Sequence, residues 1–221
     1  MRTLEAAAVG AVGAGLGAAV GTPFDLTVAG AIIGGLNGLG AGATGIYDWR
    51  SPKGPLGLVL DSTWGLPLVT AALGLHIANF VLPNSDYRRD LSERAGYHVY
   101  GGGVYARRGF VWTVGNVVSN ARPDDARRLK MLARHEGLHV WQHRILGPLY
   151  PLLYLVWMAA GGLAGTAVWA FRRGSWWKTV ETIAYYDNPF ETWAYRRDER
   201  WPHPSADRSL SWGGSHNQSV D

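Results

Sequence analysis

The sequence predicts a mainly α fold with a small antiparallel β element, led by a glycine-zipper transmembrane helical hairpin. Three observations predict it. Glycine recurs at every fourth position in the uncharged N-terminal stretch, at Gly13, Gly17 and Gly21 and again at Gly30, Gly34, Gly38 and Gly42. A long amphipathic run opens with Asn120, Pro123, Asp124 and Asp125 and stops at Gly147-Pro148. Between these lies YHVYGGGVYARRGFVWTVGNVVS (97–119), rich in β-branched and aromatic residues.

The hairpin comes first. Residues 6–24 and 26–47 carry no charge, and only Asp25 in GTPFDLT interrupts them. Pro23 marks the turn. Leu26 to Ile46, at about 1.5 Å per residue, matches a hydrocarbon core of roughly 30 Å. In water each glycine costs a helix about 1 kcal/mol against alanine; in lipid a row of them is a close-packing face. That face makes a homo-oligomer through the hairpin a candidate partner arrangement, with membrane lipid around it. Arg2 before the hairpin and Arg50 and Lys53 after it place both ends on the cytoplasmic side.

Composition narrows the chemistry. The chain has 221 residues and no cysteine, so disulfides, thiolate metal sites and cysteine nucleophiles are excluded. A metal would need nitrogen and oxygen ligands. The net charge of +4 is modest, and no nucleic-acid signature accompanies it. Eleven tryptophans and thirty glycines point to a membrane-associated protein instead.

Residues 48–82 read as an apolar buried or interfacial segment, because Asp61, Pro67, His76 and Asn79 interrupt it. The β-rich stretch reads as two runs, 97–106 and 109–118, meeting at Arg107-Arg108-Gly109 in an antiparallel hairpin or short meander. GFVWTVGNVV is either a strand that aligns an extended peptide or part of the core sheet. The helix that follows is expected to bury the stripe Leu129, Leu132, Glu136, His139, His143 and Leu146.

That helix carries RHEGLHVWQHR (134–144). Residues four apart share a helix face, so His135 and His139 can address one metal ion. Glu136 is placed to reach a water on that ion. This is the H-E-x-x-H arrangement. Two neutral imidazoles hold a metal with open positions, the metal polarises a carbonyl and acidifies water, and the glutamate moves the proton. An unpaired glutamate on a buried face would be costly, and a metal site explains its presence. A third ligand is needed. His143 is one candidate, although three ligands on one straight helix surround a tetrahedral ion poorly. The other lies in YYDNPFETWAYRRDE, where Asn188-Pro189 looks like a helix start and Glu191 falls in the first turn.

HEGLH followed by NPFETWAY resembles the gluzincin group of zinc metallopeptidases, including its membrane-embedded members. The resemblance covers roughly 120–200. It implies a zincin-like catalytic region, a zinc cofactor held by His135, His139 and Glu191, Glu136 as general base, and a peptide or protein substrate. Many members carry an orienting acid four residues after the ligand glutamate; here that position is Tyr195. Asp187 or Asp198 is then the replacement, with His143 a neighbouring or packing residue. Tyr185, Tyr186 and Tyr195 are candidate transition-state donors.

Residues 148–171 hold no charge, and Arg172-Arg173 close them. His139 and Glu191 can share a zinc only if the chain returns to the side it left. The segment is therefore expected to turn near Gly161-Gly162, as an apolar hairpin embedded in the 83–204 metallopeptidase region. A disordered tail, 205–221, completes the chain. The expected function is a membrane-associated zinc-dependent peptidase with its catalytic region in the cytoplasm. Two alternatives stand beside it. One is a membrane structural or pore-forming protein with a structural or vestigial zinc site; the other is a toxin or effector protease.

Overall fold

The two glycine rows face each other. α1 (Arg2–Gly21) and α2 (Thr27–Thr44) pack as antiparallel helices joined by a 3-10 turn at Thr22–Phe24, where Asp25 takes a left-handed φ of 58°. Gly13, Gly17, Gly21, Gly30, Gly34, Gly38 and Gly42 are all buried. A Cβ on Gly17 would land on the Gly30 carbonyl oxygen, and one on Gly34 on the Gly13 carbonyl oxygen. Hydrogen at these positions lets the backbones touch. The outer faces present Val12, Val28, Ile32 and Leu36. The glycine face offered by the sequence to a second copy is thus occupied within one chain.

This packing separates two kinds of glycine. A Cβ at Gly15 or Gly40 meets open space. Gly15→Ala and Gly40→Ala should leave the melting temperature in detergent unchanged or raise it, through a helix propensity gain of up to about 1 kcal/mol. Gly17→Ala and Gly34→Ala should lower it, because overpacking costs about 1–3 kcal/mol. Equal melting temperatures for all four would contradict the interface.

The computed structural model describes residues 2–105 and 109–212. The chain divides at Pro148 into two compact units, 1–148 and 149–221. Arg107 and Arg108 of the expected β turn, and residues 213–221 of the expected tail, lie outside the described residues. The fold is mainly helical with one small four-stranded sheet. Among the described residues, two helices are long and apolar enough to cross a membrane, Arg2–Phe24 and Leu149–Arg172. α2, where the sequence leads one to expect a second span, has 18 residues, buries the polar Asn37 at its middle and is not one of the two.

In the first unit, α3 (Lys53–Ser62) and α4 (Leu66–Val81) meet at 90°. The sheet combines β1 (Ser85–Tyr87), β2 (His98–Gly102), β3 (Trp112–Val114) and β4 (Val117–Ser119) in the order β1-β2-β4-β3. A four-residue helix, α5 (Arg89–Ser92), lies between β1 and β2. The purely antiparallel expectation is corrected, because β2 pairs with β4 in parallel while β1–β2 and β3–β4 are antiparallel. The tight hairpin falls inside the second apolar run, with Val114 opposite Val117 across Gly115-Asn116. Gly115 has φ 54°, the left-handed conformation that two-residue hairpin turns favour. Alternation then sorts the side chains to two faces. Val99 and Val118 pack with Leu132 and Val140, whereas Tyr100 and Val117 pack with Ala72 and Leu75. The sheet therefore lies between α4 and the histidine-bearing helix.

That helix runs as α6 (Ala126–Met131), a π-helical turn (Leu132–Glu136) and α7 (Gly137–Leu146). The Asp125 side chain caps it by accepting from the Arg128 amide at 2.7 Å. Gly147, with φ 51°, ends it. The expected stripe is buried from Leu132 to His143, with Leu146 half-buried and Leu129 exposed. Leu129 sits in the first turns, before the helix passes under the sheet. Beyond Leu132 burial extends well outside one stripe, to His135, Leu138, Val140, Gln142 and Arg144.

In the second unit, α8 (Leu149–Arg172) is one unbroken helix, which corrects the expected turn at Gly161-Gly162. Gly161 and Gly165 are packing seats. A Cβ on Gly161 would lie 2.7 Å from Ala184 Cα, and one on Gly165 2.9 Å from Val180 Cα. The chain turns back at Arg173 (φ 53°) and Gly174. It then runs through α9 (Trp176–Val180), a second π-helical segment (Glu181–Tyr186) and α10 (Pro189–Arg197). Rising numbers on this arm meet falling numbers on α8, so the arms are antiparallel. Phe171, Trp176 and Trp177 are exposed at the turn, beside Arg172 and Arg173, a composition suited to a membrane interface. Residues 205–212, expected in the disordered tail, are packed instead. Ser211 Oγ donates to Asp187 Oδ1 at 2.8 Å, and the Trp212 ring stacks near Trp157 at 6.1 Å between centroids.

Candidate metal centre

The π-helical turn carries His135 and Glu136 at its last two positions. Hydrogen bonds from i to i+5 widen the helix there, a feature frequent at functional sites. His135 and His139 are both buried, and their Nε2 atoms lie 3.2 Å apart. Two nitrogens at 2.0–2.1 Å from a tetrahedral zinc would be separated by about 3.3 Å. The pair already has the bite of two ligands on one ion, so the residues present fit the metal.

Glu136 is buried beside them. Its Oε2 accepts a 2.7 Å hydrogen bond from Thr113 Oγ1 on β3, an edge strand of the sheet. The Tyr97 hydroxyl donates to the Leu132 carbonyl at 3.1 Å. Burial, with the Glu136 charge second, pushes the Tyr97 phenol up to about 12. Thr113 and Tyr97 were not singled out by the sequence. The β-rich pattern that placed 109–118 near a strand was the available signal for Thr113.

Gln142 Oε1 lies 2.8 Å from His139 Nδ1 and was also missed. Its only sequence signal is a position three residues after His139, where helix neighbours meet. His143 is buried, and its Nδ1 donates to the Gly115 carbonyl at 3.3 Å. Burial, reinforced by His139, pushes the His143 imidazole down to about 3, so it is neutral at pH 7. Arg144 follows. Its Nε and Nη2 donate to Asp61 Oδ1 and Oδ2 at 2.8 and 2.7 Å, and Nη2 also reaches the Gly96 carbonyl at 2.6 Å. Tyr47 Oη and Asn116 Nδ2 donate to Asp61 Oδ2 at 2.8 and 3.3 Å. This buried network fixes the end of the histidine helix.

In the second unit, Asn188 caps α10 by accepting from the Phe190 amide at 3.0 Å, and Pro189 opens the helix. Glu191 is buried in its first turn, and Tyr154 of α8 donates to its Oε1 at 3.0 Å. Ala194 is fully buried. Asp187 accepts from Ser211 Oγ and from the Trp212 amide, and burial raises its carboxyl above the usual range. That occupation ties it to the C-terminal segment. Tyr195 packs against Tyr186 and the His203 ring, and Asp198 is buried at the end of α10. Gln142 is an orienting contact on His139.

His135 and His139 of the first unit are buried imidazoles, and Glu191 of the second is a buried carboxylate, side chains of the kinds that can hold a metal ion. No family model, curated protein or solved structure matches the chain.

Proposed function

We propose that the chain is a membrane-associated zinc peptidase of gluzincin type. In this reading His135, His139 and Glu191 hold the zinc and Glu136 is the general base. The observation that carries it is the Nε2 pair at 3.2 Å with a buried carboxylate one residue after the first histidine. Bound zinc would supply Lewis-acid polarisation of a peptide carbonyl and a more acidic water. Glu136 takes the proton and returns it to the leaving amine. Thr113 holds one carboxylate oxygen, leaving the other to face the reacting groups. The open edge of β3 is where an extended peptide substrate would add as a further strand. Two helices long and apolar enough for a membrane support localisation there. The glycine rows that suggested oligomerisation meet inside one chain, which weighs for this reading over a pore.

Metal analysis tests the ligand set. Purified wild type should carry one zinc per chain. His139→Ala and Glu191→Ala should lose it, and His143→Ala should keep it. Full occupancy in Glu191→Ala together with loss in His143→Ala would overturn the assignment.

A further inference from the structure

We propose that Gln142 is a positioning residue that sets the tautomer of His139 and so makes its Nε2 available to a metal. The inference rests on His139 being a ligand. Gln142 is 1% exposed, so its amide is cut off from water, and its Oε1 sits 2.8 Å from His139 Nδ1. A carbonyl oxygen only accepts, so Nδ1 carries the hydrogen. A neutral imidazole holds one hydrogen, and Nε2 is left with its lone pair. Nε2 is the nitrogen that faces His135 Nε2 at 3.2 Å. Were the amide turned over, its NH₂ would donate to Nδ1. Nε2 would then be protonated and unable to ligate. The polarity of one buried amide therefore decides which ring nitrogen serves.

The contact also locks the ring. Gln142 lies three residues after His139 on α7, where side chains meet directly. Partners of this kind orient the imidazole and raise its basicity, and their loss typically costs 10–100-fold in metal affinity. Here the partner comes from the same helix as the ligand. The tautomer is therefore set as soon as the helix forms.

The test uses the full chain in detergent, zinc alone and a competing chromophoric chelator. Gln142→Met removes the acceptor at similar size and should weaken zinc binding 10–100-fold. Gln142→Glu keeps an acceptor and should bind at least as tightly as wild type. His139→Ala should abolish the site. Wild-type affinity in Gln142→Met, alongside loss in His139→Ala, would overturn the role of Gln142 and leave the metal reading standing. Unchanged zinc in His139→Ala would overturn the metal reading itself. Should Gln142→Met fail to melt cooperatively, histidine-¹⁵N spectra of the metal-free wild type decide. His139 protonated at Nδ1 is expected, and protonation at Nε2 would refute the proposal.

Discussion

Glu136→Gln should reduce peptide hydrolysis by roughly 10²–10⁴-fold, the usual contribution of a positioned general base, while zinc content stays at the wild-type level. The substitution is nearly isosteric, and an amide oxygen can still accept the Thr113 hydroxyl that Glu136 Oε2 accepts at 2.7 Å. Packing and metal ligands are therefore kept, and only the capacity to take a proton goes. The measurement is turnover of a quenched peptide library, with zinc quantified on the same preparation. A structural zinc site has no use for an acid at this position. Wild-type zinc with unchanged hydrolysis in Glu136→Gln would remove Glu136 from the reaction. Tight zinc and no hydrolysis by the wild type itself would favour a structural site.

Arg144→Met should destabilise the first unit by about 3–5 kcal/mol, the cost of leaving a buried charge without its partner. Arg144 and Asp61 are each 2% exposed and joined by two hydrogen bonds at 2.8 and 2.7 Å. Without the guanidinium, Asp61 keeps only the neutral donors Tyr47 and Asn116. The double variant Arg144→Met/Asp61→Leu should recover part of the loss, because replacing a whole buried pair with apolar groups is often near neutral. Recovery stops short of complete, since the Gly96 carbonyl, Tyr47 hydroxyl and Asn116 amide each lose a partner. Chemical denaturation in detergent reads all three proteins. A single variant as stable as wild type would show that the network contributes no net stability.

Much of this was legible in the sequence, for identifiable reasons. Glycine at every fourth position has few uses besides close helix contact, and the rows indeed meet. H-E-x-x-H named the paired histidines because helix periodicity alone brings them together. Asn188-Pro189 named a helix start because a side-chain cap and a missing amide both belong there. Other features left no such trace. A π turn depends on which carbonyl an amide selects, and LARHE carries no residue that dictates the choice. Gly161 and Gly165 look like breakers until the return arm is known to need their lack of a side chain. The parallel β2–β4 pairing joins segments whose local pattern fits an antiparallel hairpin equally well. Gln142 was passed over because an amide has no charge to attract notice, although its polarity decides a tautomer.

The long antiparallel pair in the second unit also works as a ruler. Glu191 reaches Tyr154 only because the return arm retraces α8 residue for residue, with 180 beside 165 and 184 beside 161. One added turn in α8 alone would slide the arms by about 5.4 Å and leave Glu191 facing a different residue. The same turn added to both arms would restore the match. The lengths of the two arms are therefore coupled. Matched insertions or deletions on the two arms would leave the carboxylate at their end undisturbed.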